Sequence, residues 1–105
     1  MQVIVRSRDV EVGARLRAVT NRKVGGLERL APDAERIEVD FAGQRNPRIT
    51  DHARCAARLH LRQETLTAHA VGPVPEAALE LVVAKLRHQV ARRKDRRVRL
   101  RHRAR

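Results

Sequence analysis

The spacing of apolar residues changes repeatedly along the chain, and each change marks an element. Residues 2–7 (QVIVRS) are dense in Val and Ile and predict a strand. From about 12 to 30, Val12, Leu16, Val19, Leu27 and Leu30 fall on one stripe of a helix. Gly25-Gly26 lies inside that stripe and costs about 1 kcal/mol per glycine relative to Ala, so a kink or close packing is expected there. Asp9 and Glu11 place negative charge ahead of this helix, where its N-terminus favours it, and Ala31-Pro32-Asp33 ends it. Residues 36–42 (RIEVDFA) alternate: Ile37, Val39 and Phe41 face one way, Arg36, Glu38 and Asp40 the other. A loop follows from Gly43 to Arg48, with Asn46-Pro47 inside it. Residues 53–62 alternate again, with Cys55, Ala57, Leu59 and Leu61 inward and Arg54, Arg58, His60 and Arg62 outward. Gln63-Glu64 connects them to a last strand, 65–71, with Leu66, Ala68 and Ala70 on one face; the two strands make a hairpin.

Gly72-Pro73-Val74-Pro75 breaks the sheet, and Pro75 suits the first position of a helix because no backbone donor is needed there. From Glu76 to about Lys94 the stripe Leu79, Val82, Val83, Leu86, Val90 steps by one, three or four residues, the firmest helical signature in the chain. The order is strand, helix, three strands, helix. Amphipathic helices and a sheet with a polar outer face predict a two-layer α+β domain, a four-stranded sheet with both helices on one face. Residues 1–94 form this domain, and 95–105 form a basic, disordered tail.

Composition narrows what the domain can do. With 105 residues the chain holds one domain, and Lys plus Arg number 24 against 12 Asp plus Glu, a net charge of +12. Residues 92–105 (RRKDRRVRLRHRAR) carry nine basic residues and one acid, two-thirds of the excess. The partner of such a segment is a polyanion, through release of condensed counterions. It has no amphipathic apolar face to enter a membrane, so nucleic acid is the expected partner. Aromatic content is 1%, Phe41 alone, which excludes RNA binding by stacking bases on an aromatic platform. A single cysteine excludes an internal disulfide and a Cys-based zinc site. No apolar run approaches the ~20 residues of a membrane helix. The N-terminus lacks the pattern of a signal peptide, which predicts a cytoplasmic address.

The chain offers little for catalysis. His52, His60, His69, His88 and His102 are scattered, none with a partner at metal-ligand spacing. Cys55 sits in the inward register of a strand and reads as buried and inert. Asp9 and Glu11 read as helix caps. Gly25-Gly26 matches neither a phosphate-binding loop nor a GxxG clamp. The expectation is no catalysis, no metal, no cofactor and no small-molecule substrate.

The basic residues carry more. On the second helix Lys85, His88 and Arg92 share a face away from the core stripe, and Arg93 and Lys94 continue toward the tail. On the first helix Arg15, Arg22 and Arg29 recur every seven residues. Lys23 falls inside the apolar stripe, so its stem would lie along apolar surface and lift the ammonium into the groove between the helices. The candidate RNA-binding set is therefore Arg22, Lys23, Arg29, Lys85, His88, Arg92 and Arg93. Arg54, Arg58 and Arg62 on the outer sheet face are weaker candidates, because Glu38 and Asp40 on the neighbouring strand can pair with them.

The opening VIVRSRDVEVGARLRAVTNRKVGGLERL resembles the start of the ribosome hibernation promoting factors, also called ribosome-associated inhibitor or sigma-54 modulation proteins. The stretch EAALELVVAKLRHQVARRK resembles their final helix, so the likeness covers about residues 2–94. It implies a βαβββα fold similar to double-stranded RNA-binding domains. It further implies binding to the small ribosomal subunit and its ribosomal RNA, in the channel used by messenger and transfer RNA, which holds ribosomes inactive under stress. Lys23, Arg29, Lys85 and Arg92 match basic positions of the family, His88 stands where many members have Arg, and Gly26 replaces a common Lys. The chain departs from the family at Val74-Pro75-Glu76, where many members have an Asp-Met-Tyr-like segment. It also ends in arginines, where some short members end in acids, and is too short for the second domain of long members. A monomer that occupies ribosomes is expected; a general structured-RNA-binding module and a small enzyme are the alternatives.

Overall fold

Alternation along the strands and helical stripes between them produce the predicted order of elements. The computed structural model describes residues 1–43 and 53–103, the last seven as backbone alone. The loop expected at 44–48 and His52 lie outside the described residues. The elements are β1 (Gln2–Arg8), α1 (Ala14–Leu30), β2 (Ala34–Gly43), β3 (Ala53–Leu61), β4 (Thr65–Gly72) and α2 (Pro75–Arg103). They form a four-stranded sheet in the order β1-β2-β3-β4. β1 and β2 are parallel, joined through α1, as a parallel pair needs a crossover; the other pairs are antiparallel.

Register lines up the inward residues in rows across the sheet. Val5 pairs Val39, Val39 pairs Ala57 and Ala57 pairs Ala68; one row further, Phe41 pairs Cys55 and Cys55 pairs Ala70. The small side chains of β3 and β4 let α2 approach closely, and α2 packs on those two strands and on α1. Every apolar residue of the expected α2 stripe is buried.

α1 departs in detail from the expected stripe. Leu16, Thr20, Val24 and Leu27 are its buried residues, whereas Leu30 is 38% exposed. Thr20 replaces an apolar residue in this row; its hydroxyl donates to the Leu16 carbonyl at 2.7 Å, which satisfies it inside the core. The helix starts at Ala14, with Gly13 as N-cap, no side-chain cap and no acid in the first turn. Asp9 and Glu11 therefore do not cap it. Asp9 instead takes a left-handed turn with φ 56°, a conformation Asp tolerates better than most residues. Its carbonyl lies 2.2 Å from where a Cβ on Gly43 would sit, so only glycine fits where β2 passes that turn. Gly25-Gly26 does not end the helix. The tip of the exposed Arg87 side chain of α2 lies over Gly26, 3.0 Å from where a Cβ would sit, while nothing lies within 4 Å of one on Gly25.

α2 runs on to Arg103, nine residues beyond the end expected at Lys94. Arg and Leu favour helix and no breaker intervenes, so nothing in the sequence stops it. Among the described residues no helix is long and apolar enough to cross a membrane.

Candidate nucleic-acid interface

The helices cross the sheet side by side and in the same direction: Arg15 meets Glu76, Lys23 meets Glu80 and Gly26 meets Arg87, both numbers rising together. α2 consequently has one flank toward α1 and another toward the open edge of β4. On the β4 flank, Lys85 Nζ donates to the His69 carbonyl at 2.7 Å, and Gln89 Nε2 donates to the Thr67 carbonyl at 2.8 Å. Residues four apart on a helix reach carbonyls two apart on a strand, because ~6 Å separates each pair. Both carbonyls lie on the edge strand, without a neighbouring strand to bond them. A shallow groove runs here, lined by Thr67, His69, Leu81, Lys85, His88 and Arg92, and continues past Arg96 and Asp95. Lys85, His88, Arg92 and Arg96 are exposed, and among the described residues no carboxylate pairs with any of them.

The flank toward α1 is different. Lys23 emerges between the helices, as its place in the stripe predicts, but Glu80 lies 3.8 Å from its ammonium. Arg15 has Glu76 at 3.6 Å. Arg22 and Arg29 point outward from α1, exposed, with no ion pair among the described residues. The structure thus brings Lys85, His88 and Arg92 together, and leaves Arg22 and Arg29 on the same helical layer but across α1. Lys23 lies in the seam between the two columns, partly neutralised.

Arg93 leaves the candidate set. Its side chain is 6% exposed, its Nη1 and Nη2 fork onto Asp33 at 3.1 and 2.5 Å, and its Nε faces Glu64 at 3.1 Å. The Asp33 hydrogen bond outweighs desolvation and, with the charges of Asp33 and Glu64, holds this guanidinium even further from deprotonation than usual. The clamp ties α2 to the loop after α1 and to the β3–β4 turn. The signal was present in the sequence: Leu86, Val90 and Arg93 step by four and three, so Arg93 continues the core stripe. Gln89 and Arg96 line the same groove but were not in the candidate set, although Gln89 stands four residues after Lys85 and Arg96 four after Arg92.

On the outer face of the sheet, Glu38 pairs with three arginines and lies beside the His60 ring. Arg58 lies 3.0 Å away, Arg36 and His60 3.4 Å, and Arg6 3.8 Å. Burial pushes the carboxyl up, but Arg58, His60, Arg6 and Arg36 together hold it below its ordinary value. The expected pairing of sheet arginines with Glu38 is therefore present for Arg58. Cys55 is buried, and desolvation, with the charge of Asp40, pushes its thiol up to about 12, far from reactive thiolate. Among the described residues no cluster of His, Cys, Asp and Glu is placed to hold a metal.

The chain is a two-layer βαβββα domain whose helical layer exposes cationic columns and whose one aromatic residue, Phe41, is buried. The sequence matches the model of the sigma 54 modulation protein / S30EA ribosomal protein family over residues 3–98, and the chain belongs to that family. It is a family of ribosome-associated proteins. Solved structures share the fold. A ribosomal subunit interface protein from Coxiella burnetii superposes with a TM-score of 0.76 at 20% identity, covering 90% of this chain and 99% of that one. The N-terminal domain of Protein Y from Thermus thermophilus superposes with a TM-score of 0.75 at 21% identity, covering 88% and 98%. No curated protein matches the sequence.

Proposed function

We infer that this protein binds ribosomes in the cytoplasm, seating on ribosomal RNA of the small subunit in the channel for messenger and transfer RNA and keeping ribosomes inactive under stress. The observation that carries this reading is the column Lys85, His88, Arg92, Arg96: exposed, on one flank of a helix, four cationic or imidazole side chains with Asp95 as the one acid lining the same groove and no ion pair to it among the described residues. Arg22 and Arg29 add a second column on the same layer, and family membership supplies the ribosome as partner. The mechanism is steric. A compact two-layer domain, its Cα trace 17 Å across in the least direction, lodges where the translated and decoding RNAs must pass. Charge provides the affinity, and the spacing of columns on a fixed scaffold selects shape. No step of chemistry is involved, and the protein acts as a monomer.

Sedimentation with purified ribosomes tests this. The protein should pellet with small subunits at physiological salt, resist competition by free duplex RNA, block initiation in the same extract, and protect decoding-channel nucleotides from chemical probing. Binding that free duplex RNA abolishes as readily as it competes for itself would leave a general structured-RNA-binding module instead.

A further inference from the structure

The outer face of the sheet is not used by the reading above, and the Glu38 cluster does not neutralise it. The carboxylate is only 12% exposed, whereas Arg36, Arg58 and Arg6 around it are 46, 53 and 55% exposed. The acid lies beneath and the guanidiniums lie above it, so an approaching ligand meets cations. Three guanidiniums carry about fifteen N–H donors, and a carboxylate offers about four acceptor sites. Most of the donors remain available, already held in place by the carboxylate under them.

A second pair of cations stands across a low floor. Arg54 pairs with Ala42 in the register, and Ala42 pairs with Arg8; both arginines are exposed. Between this row and the Arg58 row lies Ala56, flanked by Asp40. Arg54 and Arg58 are four residues apart on one strand, about 13 Å. The floor row carries one acid, the half-buried Asp40, but Arg6, Arg8, Arg36, Arg54 and Arg58 outnumber Asp40 and Glu38 on this face, so the trough suits an extended chain of negative charges. Phe41 points into the core, and although Val71 at the β4 edge and the imidazoles of His60 and His69 share this face, its exposed side chains are mostly arginines. Its ligand is a phosphodiester backbone, read without regard to sequence.

We propose that this sheet face is a second RNA-binding surface, back to back with the helical one, so that the domain bridges two RNA segments rather than lying on one. The proposal takes RNA as ligand from the function inferred above but does not require the ribosome. Two cationic faces on a body only two layers thick, its Cα trace spanning 17 Å in the least direction, can meet RNA on both sides.

The test uses the full chain and two short RNA duplexes, one carrying a donor fluorophore and one an acceptor. The wild-type protein should bring them together, giving energy transfer that falls steeply with salt. Arg8→Gln with Arg54→Gln removes two cations that have no part in the Glu38 cluster, so folding is preserved. This variant should still bind one duplex, lose most of the energy transfer, and reduce by about two the slope of log affinity against log salt for ribosomes. Arg36→Gln with Arg58→Gln, checked for fold by circular dichroism, should act in the same direction. Energy transfer that persists in both sheet variants overturns the proposal, whatever the ribosome slope. So does transfer that disappears only when residues 96–105 are removed, and so does a loss confined to binding of anionic vesicles. If the wild type bridges RNA and the sheet variants lose bridging, yet none of them binds ribosomes, the ribosome reading fails and the bifacial surface stands.

Discussion

Replacing Arg93 with Ala separates a structural arginine from the RNA-contacting ones around it. The side chain is 6% exposed and makes a two-pronged contact with Asp33 and a third with Glu64. Breaking a fully buried pair by removing one partner costs about 3–5 kcal/mol. Here Asp33 and Glu64 are 23 and 38% exposed, so water reaches both once the guanidinium is gone. The expected cost is therefore smaller, about 2–3 kcal/mol including the lost packing of the arginine stem. For a domain of this size that lowers the melting temperature by about 10–20 °C. Arg93→Lys keeps the charge but cannot fork, and should fall between the two. Urea denaturation followed by far-ultraviolet circular dichroism measures the stability. Ribosome binding by the folded fraction should keep its wild-type salt slope, since no phosphate contact is removed. A variant as stable as wild type, or one that folds normally and loses about one unit of salt slope, would refute the clamp and return Arg93 to the interface.

Glu38→Gln should flatten the acid limb of stability: the carboxyl is held below its ordinary value of 4.5, so its contribution is present above that pH and is lost as the pH falls through the lower folded value, which denaturant midpoints measured from pH 6 to 2 will report. Gly25→Ala should stabilise by about 0.5–1 kcal/mol, because the site is helical and open, whereas Gly43→Ala should cost about 2–3 kcal/mol through collision with the Asp9 carbonyl; thermal melts of both check the contrast. Lys85→Ala with Arg92→Ala should weaken ribosome binding and flatten its salt dependence by up to about two phosphate contacts, and an unchanged slope in sedimentation assays would remove that flank of α2 from the interface.

Local pattern made most of the architecture legible. Strict alternation in residues 36–42 and 53–61 assigns each side chain to a face, because a strand repeats every two residues and one face must be buried. The α2 stripe was readable for the same reason at a period of 3.6, and Lys23 could be placed in the seam from its helical angle alone. The α1 stripe was misread at Leu30 and at Thr20 and Val24, since a buried Thr does not register as apolar until its hydroxyl is seen bonded to Leu16. The first-helix cap was assigned to acids that the turn geometry at Asp9 carries away from the helix.

The sequence by itself determined the order of elements, the buried faces and the excess of positive charge, all of which follow from short-range periodicity and counting. Which charges are free was decided only by tertiary structure, because ion pairing joins residues that are distant in the chain: Arg93 to Asp33, Lys23 to Glu80, Arg58 to Glu38. The same holds for Lys85 and Gln89, whose reach to β4 depends on where α2 settles over the sheet. Periodicity says which way a side chain leaves its own element; only the packing of elements says what it meets there.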